Sequence, residues 1–141
     1  MRSGTLAAVA AILWVVLPIA ACVGMWYLAS RIEPHWVAKD GTRFVTTTQV
    51  VDGHGNAVGR RLEMRFAIQP DGTVLASRRG LVPTASQAFR VAARSSESAR
   101  GRAIYLLDSI PPDAEGKRVA VRVPADSRIV PTLDRLAGIT R

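Results

Sequence analysis

The 141-residue chain is poor in the side chains that do chemistry. It has one cysteine, Cys22, and two histidines, His35 and His54. An intrachain disulfide and a thiolate zinc site are therefore excluded, and any other metal centre would need both imidazoles and scattered carboxylates to converge. No Gly-x-Ser-x-Gly turn, no His-Glu helix spacing and no Gly-Lys-Ser/Thr phosphate loop occurs. The glycine-rich run Gly53 to Gly59 has the wrong spacing and joins two predicted strands, so it reads as a hairpin loop. Aromatic residues make up only 6% of the chain, and the phenylalanines fall at apolar-face positions. Base stacking, and with it nucleic-acid binding, is disfavoured. Lysine occurs only at Lys39 and Lys117, so the net charge of +8 rests on arginine. No catalytic residue, metal, cofactor or small-molecule substrate is assigned, and a non-enzymatic protein is expected. An enzyme here would have to gather two carboxylates, or a carboxylate and a histidine, in a concave pocket.

What is present begins at once. Thr5 to Ala29 carries no charged side chain, and at 1.5 Å per residue a helix of that length reaches roughly 37 Å, enough for a ~30 Å hydrocarbon core. Residues 1–30 are expected to form a transmembrane anchor and residues 31–141 a basic domain, in a single-pass protein of the cell membrane. Trp14 packs against lipid or a partner, Pro18 makes a tolerated kink, and Trp26 and Tyr27 belong to an interfacial aromatic belt. Arg2 precedes the span, whereas Arg31, Lys39 and Arg43 follow it, which places the domain in the cytoplasm. Gly24 and the alanines of the span permit close docking on another membrane helix. An alternative reading starts from Ile19-Ala20-Ala21-Cys22, which resembles the lipobox of bacterial lipoproteins. It implies cleavage and lipidation at Cys22 and an extracytoplasmic envelope factor, although the run stays apolar through Val23 to Leu28.

Beyond Arg31 the pattern changes to period two. Asp40-Gly41, Asp52-Gly53 and Asp71-Gly72 mark reversals, since glycine accepts the positive φ of tight hairpins. Between Arg60 and Ile68, Leu62, Met64, Phe66 and Ile68 alternate with Arg61, Glu63, Arg65 and Ala67, the mark of a half-buried strand. Further strands are expected at 36–38, 44–51, 73–79, around Phe89 to Ala93, at 103–107 and around Val119 to Val123. A helix closes the chain, capped by Asp126 or Ser127, with Pro131 in its first turn and Ile129, Val130, Leu133 and Leu136 on its apolar side. The segments 81–87, 95–100 and 109–116 read as loops.

About seven antiparallel strands followed by one helix is a layout that resembles pleckstrin-homology-like domains, carried here by a small bacterial, actinobacterial-like, single-pass membrane protein. The resemblance implies a partly open barrel capped by the helix and used for binding, not catalysis. Arg61, Arg65, Arg90, Arg94, Arg118 and Arg122 fall opposite the apolar positions of their strands, so one strongly cationic outer face is expected. Such a face suits the anionic surface of the bilayer or a membrane-associated protein partner, with the chain as an accessory subunit of a membrane complex.

Overall fold

The computed structural model describes residues 2–32, 35–80, 85–97 and 100–139. Parts of the expected loops 81–87 and 95–100 lie outside these residues. The chain divides into two units, Met1–Glu33 and Pro34–Arg141.

The first unit is helix α1, Arg2–Arg31. It is apolar all round and has no core-facing stripe; its side chains from Gly4 to Ala29 are exposed. Over Gly4–Ala29 it is long and apolar enough to cross a membrane. Trp14, Trp26 and Tyr27 project from it, and the helix runs on through Pro18 and Cys22.

The second unit is built from β1 (Trp36–Val37), β2 (Arg43–Val51), β3 (Leu62–Ile68), β4 (Val74–Arg78), β5 (Gln87–Arg94), β6 (Arg102–Ser109), β7 (Arg118–Pro124) and helix α2 (Val130–Leu136). Each strand pairs antiparallel with the next, and β2 also pairs with β7. The ring β2 to β7 is therefore a closed barrel of six strands, with β1 added outside it on β2. Closure depends on the length of β2: Arg43 to Thr48 pair with β3, while Thr47 to Val51 pair with β7. Its threonines suit that seam. Inside the barrel the Thr46 hydroxyl donates to the Arg122 carbonyl and the Thr48 hydroxyl to the Leu62 carbonyl, so neither buried oxygen is stranded.

The interior is filled by alternate residues of every strand of the ring. Phe44 and Phe66 stack with centroids 4.9 Å apart, and Val74, Phe89, Val91, Leu107, Tyr105, Val121 and Val123 complete the core with Ile129 and Leu133 from the closing segment. The turns form as their aspartates dictate. Asp40 and Asp71 accept the N–H groups of Thr42 and Thr73, with Gly41 and Gly72 at φ 70° and 86°. In the β2–β3 loop the positive φ falls on Gly55 and not on Gly53, because Asp52 gathers the N–H groups of both His54 and Asn56 and so extends the turn.

One expectation about α2 needs correction. Neither Asp126 nor Ser127 caps it; the N-cap is Ile129, with no side-chain cap bond. The chain first makes a turn closed by the Val130 N–H on the Ser127 carbonyl, and the Ser127 hydroxyl is engaged by His35 at 2.7 Å. Pro131 then enters the first helical turn, as expected.

Candidate functional site

Closing the sheet disperses the arginines. Arg61 and Arg65 lie just before and on β3, Arg90 on β5, and Arg118 and Arg122 on β7. The arginines are thus spread over three strands of a closed ring, with Arg90 and Arg118 flanking one another across β6 and Arg61 and Arg65 on the β3 side. Arg90 stands opposite Asp108 in register, and Arg118 Nε approaches Asp108 Oδ1 at 2.8 Å, so one carboxylate serves that part of the surface. Arg65 is exposed.

Arg94 is not on the outer surface at all. The register of β5 and β6 shifts between Val91 and Ala93, leaving Ala92 as a bulge residue. One extra residue inverts the side-chain parity beyond it, so Arg94 pairs with Tyr105 and points to the interior side. There it meets α2: Nη1 lies 3.1 Å and 3.2 Å from the two carboxylate oxygens of Asp134, whose side chain is only 5% exposed. The Tyr105 hydroxyl donates to Asp134 Oδ1 at 2.7 Å, and the Arg94 guanidinium sits 5.8 Å from the Tyr105 ring centre. This is a structural lock that ties the helix to the barrel.

Arg122 is placed differently again. It lies half-buried on the outside of the barrel, in a groove of about 470 Å³ that crosses β6, β7 and β2. Val51, Ile104, Leu106 and Ala120 form much of its wall, and the β2–β3 loop at His54 and the β5–β6 loop at Glu97 border it. The loop is held near the strands by the bridge between Val51 and Ala57 and by the Val58 N–H on the Val50 carbonyl. Arg122 Nε is buried and has no hydrogen-bond partner among the described residues. Among the candidate surface arginines it is the one set in this recess, whose lining mixes the apolar residues with Gln49, His54, Ser95, Ser96 and Glu97. The groove's apolar residues were not singled out from sequence, although Ala103 to Leu107 is apolar at every position, the pattern of a strand buried on both faces.

His35 and Ser127 form the nearest approach to catalytic geometry, with Nε2 and Oγ 2.7 Å apart beside Asp126 in a shallow depression. Burial, then the Arg102 charge, holds the His35 pKa below its ordinary value of 6.5. No carboxylate among the described residues hydrogen-bonds the imidazole, so the arrangement lacks the orienting third group of a triad. Asp40, Asp52 and Asp71 have pKa values held low chiefly by the backbone N–H groups they accept, which marks them as turn-forming carboxylates. Among the described residues no group of three potential ligands could hold a metal.

The chain thus joins a helix of membrane-spanning length to a closed six-stranded antiparallel barrel with one added strand and a short terminal helix. Comparison with protein-family models, with curated proteins and with solved structures finds no match.

Proposed function

We propose that this is a non-enzymatic, single-pass protein of the cell membrane whose basic barrel docks a protein partner, as an accessory subunit of a membrane complex. The observation that carries this reading is the distribution of apolar surface. The barrel interior is occupied by side chains, with Tyr105, Phe44, Phe66 and Leu107 fully buried, while the outer strand positions Ile104 and Leu106 are half-buried in a recess that they share with Arg122 and with polar residues of two loops. A packed interior and a recessed apolar exterior suit surface recognition. The order of seven strands and one helix supports a pleckstrin-homology-like module, a kind that binds. Arg31, Lys39 and Arg43 after the helix, against Arg2 before it, support a cytoplasmic barrel.

Direct adhesion to anionic lipid is the weaker reading, because the arginines are spread over β3, β5 and β7, Arg94 is engaged by Asp134 and Arg118 by Asp108. The test is extraction of the native protein in mild detergent, followed by identification of what co-purifies. A stoichiometric membrane complex is expected. Recovery of the protein alone, with the barrel adhering to anionic vesicles and not to neutral ones, would replace the partner with the bilayer.

Two other readings have their own checks. Processing at Cys22 would make the chain an envelope lipoprotein, and the mass of the mature amino terminus decides it. The His35–Ser127 contact is what favours an enzyme; a fluorophosphonate probe that labelled Ser127, lost in Ser127→Ala, would favour it decisively.

A further inference from the structure

We infer that the outer face of β1, β2, β3 and β4 lies against the headgroups of the anionic bilayer that holds α1, with Trp36 as its interfacial anchor. The inference rests on the single-pass reading proposed above and adds which side of the barrel faces the membrane. Partner docking is left to the other strands.

Three observations converge on it. The first is Trp36 itself. It is the one tryptophan of the barrel unit, and it is 55% exposed, more than any other large apolar side chain among the described residues of that unit. Register explains the exposure: Val37 pairs with buried Phe44 and turns inward, so Trp36, opposite Val45, turns out. An exposed indole, apolar over its rings and polar at its N–H, suits the boundary between headgroups and hydrocarbon. The second is what surrounds it. Pairing sets two rows on the outer face, Trp36, Val45 and Arg65 in one, Arg43, Ala67 and Leu75 in the other. Each row combines half-buried apolar side chains with an exposed arginine, and neither holds a carboxylate. Glu63, on the next row, is paired with Arg79, and Asp40 and Asp71 lie in the turns at the edge of the patch, where they accept backbone N–H groups. Arginines standing over apolar side chains complement a layer in which anionic headgroups overlie hydrocarbon. The third is chain length. α1 ends at Arg31 and β1 begins at Trp36. Five residues extend at most roughly 18 Å, so β1 is the strand that the anchor keeps nearest the headgroup layer.

Tryptophan quenching in the full chain tests this, in vesicles whose lipids are brominated either near the glycerol or deep in the acyl chains. One protein carries Trp26→Phe and Trp36→Phe, a second Trp14→Phe and Trp26→Phe, and a third all three changes with Arg90→Trp on β5, three strands round the ring from β2. Trp14 is expected to be quenched by the deep bromines, Trp36 by the shallow ones, and position 90 by neither. Shallow quenching of Trp36 should be greater in anionic than in neutral vesicles. Arg43→Gln with Arg65→Gln should remove that difference, lowering the ratio of barrels in contact to barrels free about fivefold per arginine. Deep quenching of Trp14 with Trp36 unquenched, or with positions 36 and 90 quenched alike, would overturn the face while leaving the anchor in place. A difference that survived both Gln changes would reduce the contact to Trp36 alone and would also overturn the face. Trp14 without quenching would remove the single-pass reading and the inference with it.

Discussion

Asp134 is a buried carboxylate on a seven-residue helix, and its environment shows what holds that helix in place. A helix so short has little stability of its own, so α2 depends on tertiary contacts. Those contacts are Ile129, Val130 and Leu133 in the core and the bonds from Arg94 and Tyr105 to Asp134. Removing one partner of a buried ion pair leaves the other charge stranded. Arg94→Ala is therefore expected to destabilise the barrel by about 3 kcal/mol, at the low end for buried pairs because Arg94 is partly exposed. Tyr105→Phe, which removes the hydroxyl's bonds to Asp134 and to the Val130 carbonyl, should cost about 1–2 kcal/mol. Urea unfolding of the detergent-solubilised chain, followed by near-UV circular dichroism, measures both. At His35 the expected effect depends on pH. A histidine whose folded pKa is depressed binds protons more readily when unfolded, so its contribution to stability is complete above its ordinary value of 6.5 and declines as pH falls below it. Melting temperatures should therefore drop between neutrality and mild acid, and His35→Gln should flatten that part of the profile. The turn aspartates, with pKa values below 3.8, act only at lower pH and leave the histidine window distinct.

At the scale of elements, the parity of β5 beyond its bulge decides whether α2 has an anchor. Deleting Ala92 would remove the extra residue yet leave Ala93 opposite Leu106 and Arg94 opposite Tyr105, whereas inserting an alanine between Ala93 and Arg94 would invert the parity and turn Arg94 outward. The expected result is that the deletion keeps the Arg94–Asp134 pair while the insertion loses it, seen as selective loss of amide protection in α2 in the insertion variant alone. Gly72 supplies a second check on the same interface. It holds φ 86° in the β3–β4 turn, and a Cβ there would come within 3.3 Å of Leu136 Cδ2. Gly72→Ala should thus lower stability by roughly 1–2 kcal/mol, part from the left-handed backbone and part from pressure on the helix. The strands themselves were legible in the sequence because alternation and Asp-Gly turns are local signals, as in Leu62 to Ile68. The bulge was not, since Ala92 and Ala93 are small enough to face either way and give no parity cue. A barrel was implied by the order of strands and helix, but the pairing that closes it was hidden. It depends on β2 pairing with β7 some seventy residues away, a non-local choice, and with it went the location of Arg122 and the separation of the other arginines.

For the whole molecule, the question is what each unit contributes alone. Every residue of the hydrophobic core cluster lies between Val37 and Ala137, so the second unit has a core of its own. A protein beginning at Pro34 should accordingly fold cooperatively and remain soluble, with the arginine-rich surface opposing self-association. Membrane attachment should behave in the opposite way. A barrel held only by arginine contacts with headgroups would be released by about 1 M salt, where the Debye length falls to ~3 Å, whereas an inserted apolar helix is indifferent to ionic strength. The full chain is expected to stay in the membrane pellet through both high salt and alkaline carbonate and to enter solution only with detergent. Release by salt alone would assign attachment to the barrel surface and remove the anchor from Gly4–Ala29, while a truncated protein that failed to fold would show that the helix supports the barrel as well as holding it in place.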